Sequence, residues 1–211
     1  MLIANKPRTS LWYDEKADVI RYLDQTLLPW ELKIREMRTV DDAVRAIRDM
    51  EVRGAPLIGV AAAFGYYLGL RAYGLRFKEK EKEKEKEIVN KLISTRPTAV
   101  NLKWALGQMR QASVSFAKEQ LESGSNGDER EYHSLLLQKA LDIRQSEIDR
   151  CFRIGQHGLR LIEELAGRKK DKPVNILTHC NAGWLATIDY GTATAPIYLA
   201  HDAGIPVHVW V

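Results

Sequence analysis

Apolar and polar residues change their spacing several times along the chain, and each spacing predicts a different element. Residues 11–13 and 19–24 are two short β-prone runs on either side of a turn at 14–16, which predicts a hairpin. Thr26-Leu27-Leu28-Pro29-Trp30 leaves it, and Pro29 argues against a continuing strand. Residues 32–37 add one more short strand. Thr39 is then an N-cap, and Val40, Val44, Ile47 and Met50 recur at helical spacing until about Val52. Arg53-Gly54 breaks that helix, and Pro56 suits the first turn of another. This second helix, 57–70, is almost wholly apolar, the pattern of a helix buried on nearly every side.

The Lys-Glu alternation at 78–87 carries no apolar stripe and reads as a solvated helical turn or a charged loop; the other reading is an interaction arm. Helical spacing resumes at 88–94. Thr95-Arg96-Pro97-Thr98 interrupts it, with Pro97 opening a helix lined by Leu102, Trp104, Ala105 and Met109. A loop is expected at 124–128 and long helical periodicity over 129–165, interrupted by Gly155 and Gly158. After Pro173 the texture changes to strand (174–180), helix (191–203, regular from Pro196) and strand (205–211), which is a βαβ unit and so parallel. The predicted fold class is therefore α+β to α/β. A mainly helical N-terminal domain with a small β sheet covers 1–172. The first βαβ unit of a Rossmann-like parallel-sheet domain follows at 173–211. Two parallel strands cannot hide both faces of their sheet, so this second domain is expected to be incomplete in the chain.

Composition narrows the function classes. A formal net charge of +4 is spread along the chain, with Lys and Arg mostly accompanied by Glu or Asp, so nucleic acid is not an expected partner. The apolar run 55–70 is interrupted by Pro56, Gly59 and Gly65 and falls short of a membrane span. The segment 1–10 lacks a signal-peptide pattern, and the two cysteines, Cys151 and Cys180, form no disulfide framework. A cytoplasmic, reducing setting is expected, with Cys180 as a free thiol.

Three stretches carry candidate chemistry. Arg53-Gly54-Ala55-Pro56 places an arginine and a close-approach glycine at a helix start, where unpaired N–H groups suit a phosphate. A plain helix-loop-helix turn with a solvated arginine is the alternative. Arg96, beside Pro97, repeats the arrangement, with an ordinary cap as the alternative. Cys180 stands at the end of an apolar strand, where parallel sheets deliver reactive side chains into a crevice. A buried structural thiol is the other reading. His179, the next residue on that strand, points to the opposite face and is not its partner. Cys151 falls in a helical apolar pattern and reads as core. The five histidines lack metal-ligand spacing.

Together, Val52-Arg53-Gly54-Ala55-Pro56-Leu57-Ile58-Gly59, Thr95-Arg96-Pro97-Thr98-Ala99-Val100-Asn101-Leu102 and Ile176-Leu177-Thr178-His179-Cys180-Asn181-Ala182-Gly183 resemble the methylthioribose-1-phosphate isomerase family. Asp24-Gln25-Thr26-Leu27-Leu28-Pro29 fits that family's start. The resemblance implies isomerisation of 5-methylthioribose 1-phosphate to 5-methylthioribulose 1-phosphate in methionine salvage. Cys180 would be the catalytic cysteine, and Arg53, Gly54, Ala55 and Arg96 would surround the phosphate. It further implies no metal, no organic cofactor, a homodimer, and a catalytic aspartate well beyond Val211. Relatives in the broader initiation-factor-2B-like family leave two alternatives. One is an isomerase of 5-deoxyribose 1-phosphate or ribose 1,5-bisphosphate. The other is a non-catalytic regulatory subunit.

Overall fold

The computed structural model describes residues 2–3, 6–73, 79–123, 128–169 and 172–211. Of the loop expected at 124–128, only Asp128 lies within them. The chain begins with β1 (Leu2–Ile3), β2 (Lys6–Pro7), β3 (Leu11–Asp14), β4 (Val19–Leu23) and β5 (Ile34–Met37). Then come α1 (Val40–Arg48), α2 (Ala55–Tyr73), α3 (Glu79–Thr95), α4 (Val100–Glu122) and α5 (Glu129–Lys169). It closes with β6 (Val174–Leu177), a 3-10 turn (Trp184–Ala186), α6 (Ala195–Asp202) and β7 (Val207–Trp210). Packing divides the chain into two compact units: Leu11–Arg144, and Met1–Ser10 with Gln145–Val211. The division falls inside α5, whereas the texture change expected at 172/173 coincides with the approach to β6.

In the unit Leu11–Arg144, β3, β4 and β5 form an antiparallel sheet with β4 in the middle. The predicted hairpin and third strand are present. β4 carries Val19, Ile20, Tyr22 and Leu23, all at most 1% exposed. Thr39 caps α1 reciprocally: its hydroxyl accepts from the Asp42 N–H, and the Asp42 carboxylate accepts from the Thr39 N–H. Such a box contributes about 1 kcal/mol. Helix α2 runs longer than its apolar stretch, and every residue over 57–70 is buried. At 19 residues it is long and apolar enough to cross a membrane, which corrects the expectation that it falls short; 78% of its most apolar window lies inside the protein. Its glycines mark where neighbours press closest. A methyl added at Gly65 would lie 2.6 Å from Ala43 Cβ of α1, and one at Gly69 would lie 2.9 Å from Ile88 Cδ1 of α3.

From Glu79 the Lys-Glu run opens α3, the helical one of its two expected forms, rather than a loose loop; Lys78 lies outside the described residues. One of its acids is fastened: the Glu85 carboxylate accepts from Tyr66 Oη (2.8 Å) on α2 and Arg110 Nε (3.0 Å) on α4. Helix α4 starts at Val100, with Pro97 and Thr98 in the preceding turn, so Pro97 precedes the helix and does not open it. Leu102, Ala105 and Met109 are fully buried, but Trp104 is 41% exposed.

In the other unit, the second half of α5 packs on the βαβ segment. Ile162, Val174 and Ala200 form its centre, with Ile176 and Val207 against them. Helix α5 is continuous through 41 residues, roughly 60 Å at 1.5 Å per residue. The two glycines that suggested a break are docking points: a methyl at Gly158 would meet Pro196 Cγ at 2.3 Å, and one at Gly155 would meet Leu199 Cδ1 at 2.7 Å. β6 and β7 pair in parallel, with Val174 opposite Val207 and Leu177 opposite Trp210. One face of this sheet carries Val174 and Ile176 into the core. Leu177 (82%) and Trp210 (56%) are exposed. β6 ends at Leu177 and β7 starts at Val207, so both are shorter than the apolar runs suggested.

Candidate functional site

The first candidate cluster lies in the unit Leu11–Arg144, where α2 and α4 begin. Gly54 has φ +101°, a left-handed conformation that favours glycine, and it delivers the chain into α2 at Ala55. Arg53 and Ala55 are exposed and Gly54 is half-buried. Arg96 is half-buried in the turn between α3 and α4, where its carbonyl accepts from the Ala99 N–H (3.0 Å). The two starts adjoin because the helices touch at Gly59, where an added methyl would lie 3.0 Å from the Asn101 carbonyl oxygen. Gly59 is about one turn into α2, and Asn101 is the second residue of α4. Two sets of helix-start N–H groups, each with its positive end, therefore share one side of the unit.

The arginines of this unit differ in their partners. Arg35, Arg38, Arg45 and Arg48 each pair with a carboxylate. Among the described residues neither Arg53 nor Arg96 has such a partner. The same unit holds a polar network that includes two buried acids, one of them Glu51, two residues before Arg53. Asp24, fully buried, accepts from Arg35 Nε (2.6 Å), Thr26 Oγ1 (2.6 Å) and Thr26 N (3.0 Å). Burial opposes its ionisation, but the hydrogen bonds from Thr26 and Arg35 outweigh it and hold the carboxyl below its usual range. Glu51, 7% exposed, accepts a hydrogen bond from Tyr22 Oη and lies 3.7 Å from Arg35 Nε and 3.6 Å from Arg45 Nε. Burial, then the Glu51 carboxylate, pushes the Tyr22 phenol above its usual range, so Tyr22 is the donor.

The second cluster lies in the other unit. Cys180 is exposed and sits three residues past β6, with φ +72°. The expectation of a strand through Cys180 is corrected: Thr178 N–H donates to Trp210 O (2.9 Å), and beyond it the strand gives way to a turn. Strand alternation therefore does not decide where His179 points; His179 is exposed. The Cys180–Gly183 turn is fastened at the Ala182 carbonyl, which accepts from Thr192 N (2.8 Å), Thr194 Oγ1 (3.0 Å) and Thr192 Oγ1 (3.4 Å). Gly191, at φ +77° and buried, makes this approach possible, since an added methyl would lie 2.6 Å from Ala182 O. Cys151 is 1% exposed, and burial pushes its thiol up to about 11.

Thus Arg53, Gly54, Ala55 and Arg96 are brought together at two adjoining helix starts, and Cys180 belongs to the other compact unit. The sequence reading quoted Asp24 without giving it a role and missed Glu51, Gly191 and the Thr192/Thr194 donors. Nothing in their spacing marks them. It quoted Thr178 without giving it a role; the Thr178 hydroxyl, two residues before Cys180, is buried with no hydrogen-bond partner among the described residues.

The fold and these clusters define a class: an α/β protein with two arginine-marked helix starts in one unit and a thiol past a parallel strand in the other. Residues 51–211 match the initiation factor 2 subunit family, and the chain belongs to that family. It is 44% identical over 205 residues to a methylthioribose-1-phosphate isomerase of Rhodospirillum centenum, covering 97% of this chain and 50% of that one. It is 43% identical over 211 residues to one of Methylorubrum extorquens, covering all of this chain and 53% of that one. Among solved structures, it resembles 5-methylthioribose 1-phosphate isomerase from Pyrococcus horikoshii (TM-score 0.72, 33% identity, 98% of this chain and 52% of that one). It also resembles the translation initiation factor eIF-2B subunit delta from A. fulgidus (TM-score 0.73, 30% identity, 96% and 54%). The chain spans about half the length of the curated relatives it matches.

Proposed function

We propose that this chain is part of an aldose-ketose isomerase that converts 5-methylthioribose 1-phosphate to 5-methylthioribulose 1-phosphate in methionine salvage, acting as a cytoplasmic homodimer. The observation that carries this reading is identity above 40% along essentially the whole chain to isomerases of that name. The adjoining helix starts support it, because Arg53, Gly54, Ala55 and Arg96 present N–H groups and guanidinium charge without a carboxylate partner among the described residues, suited to a sugar phosphate. In this reading β6 and β7 are the first strands of a Rossmann-like sheet that continues in a further part of the protein. The exposed Leu177 and Trp210 fit that continuation.

The chemistry sets the roles. A sugar 1-phosphate is a cyclic acetal without a free aldehyde. Its ring must open, and hydrogen must move from C2 to C1. One group handles the ring oxygen and another the carbon-bound proton. Cys180 takes the C2 proton and returns it to C1; the rival is a hydride shift between the two carbons, in which Cys180 only shapes the site. An aspartate of the family's later half protonates the ring oxygen as the ring opens and takes the C2 hydroxyl proton back as C2 becomes the ketone. The full-length protein is expected to convert 5-methylthioribose 1-phosphate to a ketose, seen as a new carbonyl carbon by NMR; no conversion refutes the reading.

A second reading, a regulatory subunit without chemistry, draws on the equal likeness to the initiation-factor subunit. In that case the full-length protein binds partner subunits and leaves the sugar phosphate unchanged.

A further inference from the structure

The residues just before Arg53 are held with unusual completeness. Met50 has φ +60° and Gly54 φ +101°, so the chain passes twice through left-handed backbone within five residues. A conformation of that kind persists when its surroundings over-determine it. Between the two, the Glu51 carbonyl accepts from Gln25 N (2.9 Å), and Val52 N donates to Ala46 O (3.0 Å), with Val52 fully buried. The Glu51 side chain reaches Tyr22 on β4, Arg35 on β5 and Arg45 on α1. Three elements thus meet on one carboxylate two residues before an exposed arginine that has no carboxylate partner among the described residues.

We propose that Glu51 is a positioning residue for the phosphate: gripped by Tyr22, Arg35 and Arg45, it fixes the turn that presents Arg53 and Gly54. The assignment rests on the phosphate reading given above. It has a sign that electrostatics alone does not produce. Glu51 is an anion close to an anion site, so removing its charge without disturbing the turn tightens phosphate binding. Loss of positioning weakens it, because a neutral amide holds Tyr22 and the two arginines less firmly than a carboxylate does.

The test uses the full-length protein with 5-methylthioribose 1-phosphate as substrate and inorganic phosphate as competitive inhibitor. Glu51→Gln is expected to raise KM and the phosphate inhibition constant together by fivefold or more, with kcat within twofold. Tyr22→Phe, which changes no charge, moves both in the same direction and decides the matter if Glu51→Gln does not fold. Unchanged or lowered KM in the folded variants, with only thermal stability reduced, overturns the positioning role. Arg53→Ala is the control. If it raises KM while Glu51→Gln and Tyr22→Phe do not, the phosphate reading stands and this inference falls. If Arg53→Ala leaves KM unchanged, the phosphate reading falls and takes the inference with it.

Discussion

Alanine substitution at Gly59 and Gly107 makes one chemical change in two opposite surroundings. In a helix interior, glycine to alanine is favourable by about 0.5–1 kcal/mol, because alanine has less backbone freedom to lose. Gly107 lies in α4 with nothing within 4 Å of the added methyl, so Gly107→Ala is expected to stabilise by that amount. At Gly59 the methyl would sit 3.0 Å from the Asn101 carbonyl oxygen and 3.3 Å from its carbon, both main-chain atoms that cannot swing away. Overpacking of this kind costs about 1–3 kcal/mol, which exceeds the helix gain. Gly59→Ala is therefore expected to destabilise by about 1 kcal/mol. The two variants should differ by about 2 kcal/mol, or roughly 2–4 °C in Tm for a protein about twice the length of this chain. Thermal melts of the full-length protein read this difference directly. Gly59→Ala should also raise KM, because α2 and α4 must separate where their starts adjoin; Gly107→Ala should not. Equal stabilisation by both variants would refute the close crossing of α2 and α4, and with it the shared helix-start cluster.

Other predictions probe the thiols, the Cys180 turn and the buried acids. With a thiol-specific chromogenic reagent, exposed Cys180 should react at least tenfold faster than Cys151, and both should react once urea unfolds the chain; equal native rates would refute the difference in burial. Gly191→Ala combines a left-handed backbone penalty of about 1–2 kcal/mol with overpacking against Ala182 O. It should lower Tm and kcat together, and a wild-type Tm would contradict the described turn. Asp24 has a depressed folded pKa, so its contribution to stability is present above the ordinary carboxylate pKa of about 4 and is lost as pH falls through its lower folded value. Asp24→Asn should thus be less stable than wild type at pH 7, with the gap narrowing in urea melts below about pH 4. A gap independent of pH would show that the carboxylate charge is not what matters.

Features set by local chemistry were legible in the sequence: the hairpin of β3 and β4, the Thr39 cap, the apolar α2 and the βαβ order after Pro173. Features set by distant partners were not. Gly155 and Gly158 read as helix breakers because single-sequence reasoning counts the backbone cost of glycine and cannot see Pro196 and Leu199 pressing there. The Lys-Glu run read as solvated because Tyr66 and Arg110, which hold Glu85, lie 19 and 25 residues away in sequence. The candidate residues Arg53, Gly54 and Arg96 were visible as types beside helix starts. Their proximity was not, because it depends on Gly59 meeting Asn101. Glu51 looked like any acid in a charged helix end. Only the convergence of Tyr22, Arg35 and Arg45 distinguishes it. Cys180 was found, but its left-handed backbone was not, because an apolar run does not reveal where a strand stops pairing.

The most direct measurement is an NMR time course of the full-length protein and its Cys180→Ser variant with 5-methylthioribose 1-phosphate in deuterated water. The account predicts that the wild type forms the ketose with deuterium at C1, and that Cys180→Ser loses both product and label. Wild-type turnover by Cys180→Ser would contradict it.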